Sequence, residues 1–293
     1  MTRLEPSPAI ALACRNLLSA DVTQARCLSQ SPQSSVHRVV LHDHRAAIVK
    51  LHRGESRWKA IKERKAMEAV AAHTTLHTAG LLACGPVPGH DTTALITADL
   101  GEASLSQAAR EGTRSRSQAL GLLGVVLAQF HQLPVRCGLR VTAGWSLEAQ
   151  VIALRRRCPG PLLAVVGPAL LRAVELGVGR LVWCHGDLHL DNVLLVPDAR
   201  GDGLPYVIDF EQMVPAVPEY DIAQSAVTSD ALDGHELAEI TAGYGEPLSA
   251  ELVTVLIVFH VLQGWVYAAL TEGRDTRLWA NRLDIVINRC AAR

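Results

Sequence analysis

The apolar positions of this chain fall into short runs in its first third and into long helical stretches after it. Arg26-Cys27-Leu28, Val36-His37-Arg38-Val39-Val40-Leu41 and Ala46-Ala47-Ile48-Val49-Lys50-Leu51 read as strands. Between Ser56 and about Thr78, Trp58, Ile61, Met67 and Val70 stand among charged residues at helical spacing. Residues 1–22 suggest a short leading helix. Beyond Ser106 helices are expected over Leu105–Gln132, about Leu147–Arg157, Leu162–Leu176, and in several segments after Asp221. Three short apolar runs interrupt them: Leu181–Cys184, Val193–Val196 and Tyr206–Ile208. They read as buried strands, the last two forming a hairpin whose tip is residues 197–203. Strands gathered early and helices late make an α+β chain. The expected division is 1–98, a connecting segment 99–106, and 107–293. There is no internal repeat and no low-complexity tract.

The loop between the first two of those late strands carries the chemistry. His185-Gly186-Asp187-Leu188-His189-Leu190-Asp191-Asn192 places an Asp and an Asn five positions apart, and Ile208-Asp209-Phe210-Glu211 adds a second Asp behind an apolar strand. This is the spacing of a kinase catalytic loop and its metal-binding triplet. Phosphoryl transfer requires a carboxylate to take the proton of an attacking hydroxyl. It also requires a carboxylate and an amide oxygen to hold Mg²⁺, a hard cation that prefers oxygen ligands. Asp187 sits where the base belongs, and Asn192 and Asp209 where the metal ligands belong.

The loop resembles that of the aminoglycoside phosphotransferase family, the small-molecule branch of the protein-kinase-like superfamily, whose pattern is H-G-D-x-H-x-x-N followed by I-D-F/W-E/D. Further segments are similar. Leu127-Ala128-Gln129-Phe130-His131-Gln132-Leu133 looks like its L-x-x-H-x-L signature, with His131 read as a satisfied core histidine. Val217–Ala223 looks like P-x-x-D-L-A, with Asp221 as a structural brace, and Leu95–Gly101 looks like the hinge. The resemblance implies a bilobal kinase-like fold with a strand-rich N-terminal lobe and a larger, mainly helical C-terminal lobe. It also implies ATP or GTP with Mg²⁺ as cofactors, and adenine meeting the chain near Asp99 and Leu100.

A nucleotide site needs a cation for the phosphates. Only four lysines exist, and Lys50 alone lies on an apolar strand, one resembling the V-A-I-K strand of kinases. Its partner on the next helix is Glu63 or Glu68, with Glu63 preferred for its distance to Leu81-Leu82-Ala83. No G-x-G-x-x-G precedes Lys50. Residues 29–35 occupy that place, and Ser34 and Ser35 could approach phosphates through backbone N–H and hydroxyl groups, although a polar turn between strands reads equally well.

Composition narrows the rest. A net charge of −1 gives no basic field for nucleic acid. Seven cysteines without metal spacing read as reduced residues of a cytoplasmic protein. Leu252–Thr271 is uncharged and of membrane-like length, but His260, Gln263 and Gly264 and its acidic flanks favour a buried helix, so no membrane is expected. From Asp209 to Asp275 there are twelve acidic residues and one basic residue. Family members that bind aminoglycosides hold ammonium groups with carboxylates, so Glu211, Asp230, Asp233, Glu272 and Asp275 are candidate acceptor contacts. The expected acceptor is a hydroxyl of a small molecule, with an antibiotic favoured. The alternatives are a metabolic kinase for an amino alcohol, sugar or homoserine-like hydroxyl, and a non-catalytic nucleotide-binding pseudokinase.

Overall fold

Period-two alternation on one strand explains the first part of the molecule. In the computed structural model, which describes residues 7–135, 145–198, 203–271 and 276–291, the chain forms two compact units. The first comprises 1–103 with 194–211, the second 104–193 with 212–293. The division after Ala103 falls inside the expected connecting segment, but 194–211 counts with the first unit and not with the expected 107–293.

The first unit holds α1 (Pro8–Leu18), β1 (Val22–Gln30), β2 (Ser34–Leu41), β3 (Ala46–Arg53), α2 (Trp58–His73), β4 (His77–Thr78), β5 (Leu81–Pro86) and β6 (Thr92–Ala98). Five of these strands make an antiparallel sheet in the order β1-β2-β3-β6-β5. On β3, Ala47, Val49 and Leu51 are buried with Ile10, Ala13 and Cys14 of α1, and Val39, Leu41, Ala94 and Ile96 complete that core. Successive side chains point to opposite faces, so Lys50 and His52 share the other face, the one toward α2. Burying each of the valine, leucine and isoleucine side chains among them contributes about 1.5–3 kcal/mol.

In the second unit, α3 (Leu105–Arg110), α4 (Arg116–Phe130), α5 (Leu147–Arg157) and α6 (Gly160–Leu176) lead to β7 (Val182–Cys184). The single helix expected over Leu105–Gln132 is therefore two. Gly112 takes a φ of +73°, and Ser115 restarts the helix with a reciprocal capping box to Gln118. The chain then passes through β8 (Val193–Val196) and β9 (Leu204–Val207), which pack as the sheet β4-β9-β8. The tip expected between them lies largely outside the described residues. β10 (Val214–Ala216), not foreseen, pairs antiparallel with β7, and α7 (Pro218–Thr228), α8 (Gly234–Tyr244), α9 (Ala250–Leu270) and α10 (Arg277–Ala291) complete the unit.

Helices α4 and α8 cross closely, because a Cβ on Gly124 would lie 2.1 Å from the Ile240 carbonyl oxygen. α9 is long and apolar enough to span a bilayer by length and composition. It packs against α6, α7 and α10 with Leu256, Phe259, Val261 and Leu262 wholly buried, which is the environment of a core helix.

Candidate functional site

In the first unit Lys50 is the organising group. Its strand is central, with Val36 on β2 and Leu95 on β6 as its neighbours, so its Nζ is held at a fixed height over the sheet. Nζ donates to Glu63 Oε2 at 2.9 Å and to Asp209 Oδ1 at 2.7 Å, and Glu211 Oε2 lies 3.2 Å away. Burial works against the charge of Lys50, but Glu63, Asp209 and Glu211 together outweigh it and raise its pKa. The Glu63 carboxyl is pushed up by burial, with Lys50 pulling the other way. Burial also opposes the charged form of Glu211, but Lys50 and then Lys59 outweigh it and its pKa is lowered.

Of the two candidate partners on α2, Glu63 meets Lys50, while Glu68 pairs with Arg64 at 2.6 Å on the helix surface. Glu211, a candidate acceptor contact from the sequence, is instead engaged by Lys50 and by Lys59 at 3.2 Å. Asp209 takes a left-handed φ of +68°, a conformation that costs a residue with a Cβ about 1–3 kcal/mol.

The remaining candidates of this unit are tied locally. Ser34 and Ser35 are the first residues of β2 and not part of the turn before it. The Ser35 hydroxyl is buried and accepts from Arg53 at 2.9 Å, and the Ser34 hydroxyl lies 3.2 Å from that of Ser31. Asp99 is clamped by Arg38, whose Nε lies 2.6 Å from Oδ2, and its Oδ1 accepts from Gly101 N at 2.9 Å. Leu100, between these two, is partly buried.

In the second unit one face of α7 holds the loop from His185 to Leu190. Asp221, wholly buried, accepts from His185 N at 2.6 Å, Gly186 N at 2.9 Å and His131 Nε2 at 3.1 Å. Burial alone would raise the Asp221 pKa, but His131, His185 and the Gly186 amide lower it, so the brace is an anion. His131 also meets the Tyr244 hydroxyl at 3.0 Å through Nδ1. One turn on, Gln224 Nε2 donates to the Gly186 carbonyl and lies 3.4 Å from Asp187 Oδ1. Ser225 Oγ donates to Leu188 O at 2.5 Å, and Leu190 N reaches Ser229 Oγ at 3.4 Å. Gly186 needs its φ of +76°, since a Cβ there would lie 2.4 Å from the Gln212 carbonyl oxygen.

Asp187 is thus carried on a loop fixed from behind, itself only partly buried. Asn192 Nδ2 donates to the Asp187 carbonyl at 2.8 Å, which leaves its amide oxygen to face a cation. An amide oxygen, as on Asn192, and a carboxylate, as on Asp209, are each hard donors of the kind that suits Mg²⁺.

Gln224, Ser225 and Ser229 escaped the sequence reading. Their signal was available: polar side chains at three, four and eight positions after Asp221, a spacing that falls on one side of a helix. The candidate acceptor contacts are scattered. Asp233 caps α8 by accepting from Glu236 N at 2.7 Å, and Asp230 accepts from Arg282 at 3.2 Å while its side chain stays 61% exposed. Glu272 and Asp275 lie outside the described residues.

Residues 31–252 match the family described as the phosphotransferase enzyme family. The chain belongs to that family. It is a small-molecule kinase with a hydroxyl acceptor, in a protein-kinase-like fold. No curated protein matches it. Among solved structures it is similar to the GDP and kanamycin complex of the aminoglycoside phosphotransferase APH(2″)-IIIa, with 13% identity, 96% of this chain and 97% of that one covered, and a TM-score of 0.69. It is also similar to the macrolide 2′-phosphotransferase MphH from Brachybacterium faecium, at 17% identity with 94% and 96% covered and a TM-score of 0.61. A choline/ethanolamine kinase family protein from Mesorhizobium loti gives 17% identity, 92% and 87% covered, and a TM-score of 0.63.

Proposed function

We propose that this phosphotransferase moves the γ-phosphoryl of ATP or GTP, with Mg²⁺, to a hydroxyl of an antibiotic. The observation that carries the catalytic part is the loop of the second unit, where Asp221, Gln224 and Ser225 fix the backbone around Asp187 and the Asp187 carbonyl orients the Asn192 amide. In phosphoryl transfer there is little covalent work for the protein, and rate comes from positioning and electrostatics.

On this reading Asp187 accepts the proton of the attacking hydroxyl, and Lys50, held by Glu63, takes the nucleotide phosphates. Asn192 and Asp209 would hold the magnesium, which would offset the negative charge of the phosphates. Backbone groups at Asp99 and Leu100 meet the base. Retention of Lys50, Asp187, Asn192 and Asp209 together disfavours a pseudokinase, which usually loses one of them. The described cysteines are free thiols, in keeping with a cytoplasmic location.

The antibiotic class is supported by the fold's likeness to aminoglycoside and macrolide phosphotransferases. A cationic acceptor is supported by the acidic run from Asp209 to Asp275, of which Asp230 is the most open described member of the candidate set that also faces a basic group. The test is a mass-spectrometric screen for phosphorylated product with ATP and GTP separately, over aminoglycosides, macrolides, nucleoside and peptide antibiotics, choline and homoserine. Turnover of choline or homoserine with none of the antibiotics overturns the antibiotic class and leaves the family standing. Nucleotide binding with no transfer to any acceptor favours the pseudokinase.

A further inference from the structure

Two residues beyond Lys50 and on the same face of β3, His52 is wholly buried and neither ring nitrogen has a hydrogen-bond partner among the described residues. A buried polar group left unsatisfied costs about 1–3 kcal/mol, so an orphaned imidazole in a core asks for a ligand. One ring nitrogen of His52, one carboxylate oxygen of Glu63 and one of Glu211 lie within 4.8 Å of one another. Bonds of about 2.0–2.2 Å in a tetrahedral shell place ligand atoms roughly 3.3–3.6 Å apart, so small side-chain rotations close the set. One nitrogen with two carboxylate oxygens is a donor set for borderline ions such as Zn²⁺ or Co²⁺, whereas Mg²⁺ prefers oxygen alone. Burial, followed by the charge of Lys50, lowers the His52 pKa to about 4, so at neutral pH the imidazole keeps the lone pair that ligation needs.

The competitor is Lys50, whose ammonium takes Glu63 at 2.9 Å and stands 3.2 Å from Glu211. A dication on those oxygens expels the ammonium, which retains Asp209 at 2.7 Å. We propose that His52, Glu63 and Glu211 form a site for a zinc-class divalent ion that competes with Lys50 for the two carboxylates. Binding is independent of the phosphotransferase reading. Its consequence, inhibition through loss of the Lys50–Glu63 pair, rests on that reading. A second cluster, His131, Cys184 and Asp221, carries no such proposal, because His131 and Asp221 already satisfy each other and the loop amides.

The test is an optical titration of the nucleotide-free protein with Co²⁺. One equivalent is expected to give the visible bands of a tetrahedral nitrogen–oxygen site without a thiolate charge-transfer band. His52→Leu and His52→Gln, both checked for folding by thermal melting, should each bind at least ~100-fold more weakly, since loss of an outer-shell partner alone costs 10–100-fold. Lys50→Met should bind tighter by ~10-fold or more, with one ammonium no longer contesting the oxygens. Absence of the bands, a thiolate band, or native affinity in both His52 variants overturns the site, and unchanged affinity in Lys50→Met overturns the competition. Because the readout is optical, a protein inactive toward every acceptor still answers the question.

Discussion

Asp221→Asn is the most informative single change, because it preserves volume at a wholly buried position while removing one charge. In the native protein Oδ2 accepts from His185 N and His131 Nε2, and Oδ1 accepts from Gly186 N. An Asn oxygen can replace only one of these two oxygens, and its NH₂ must then face a donor. With the amide oxygen in the Oδ2 position, two bonds survive without charge assistance, each weakened by about 1 kcal/mol. The Gly186 N–H is left unsatisfied at about 1–3 kcal/mol. The sum is a loss of roughly 3–5 kcal/mol, a large share of the 5–15 kcal/mol of a typical domain. Urea unfolding at pH 7, followed by far-ultraviolet circular dichroism, measures it through the shift in midpoint at constant m. If the fold survives, kcat should fall by a larger factor than the KM for nucleotide rises, because the brace acts on the loop bearing Asp187. A change below about 0.5 kcal/mol would mean that the carboxylate charge is not what holds the loop.

Asp187→Asn should keep nucleotide affinity by calorimetry yet lose about 10²–10⁴-fold in transfer, and near-native turnover by the folded variant would remove Asp187 from the base role. Lys50→Met should destabilise by about 3–5 kcal/mol because it leaves three carboxylates facing one another, whereas Glu63→Gln should cost less, since Lys50 keeps Asp209 and Glu211; the opposite order in urea unfolding contradicts the network. His260, wholly buried with Nε2 donating to Tyr220 O at 3.1 Å, has its pKa lowered to about 4, by burial against the smaller pull of that carbonyl and Asp221. The unfolded chain therefore takes up a proton near pH 6.5 that the folded protein refuses until about pH 4. Stability from this group is complete above pH 6.5 and falls by up to ~3 kcal/mol across that window. A His260→Gln variant should show a flatter pH dependence of unfolding, and an unchanged slope refutes the assignment.

What the sequence revealed and what it withheld divide along a physical line. The loop His185–Asn192, the strand of Lys50 and the buried character of α9 were legible because each depends on a local property: a fixed spacing, a period of two, or an apolar stretch interrupted by polar groups. The pairing of Glu211 was not legible, for the opposite reason. Its acidity is visible in the sequence, but its partners Lys50 and Lys59 lie more than a hundred residues away in the chain, and only folding selects between an open carboxylate and a paired one. The same holds for Asp233, whose position before Gly234-His235-Glu236 is as good a helix cap as it is an acceptor contact, and which caps. The break between α3 and α4 is an intermediate case. Gly112 and the Ser115–Gln118 pair announce it locally, but the continuous run of helix-compatible residues on both sides conceals it. Charge counted along a chain is therefore weak evidence for a substrate until its internal partners are subtracted. Of the candidate acceptor contacts within the described residues, Glu211 is held by two lysines, Asp233 by a helix terminus and Asp230 by Arg282. Asp230 keeps most of its side chain open while doing so, which makes it the residue through which a cationic acceptor is best sought.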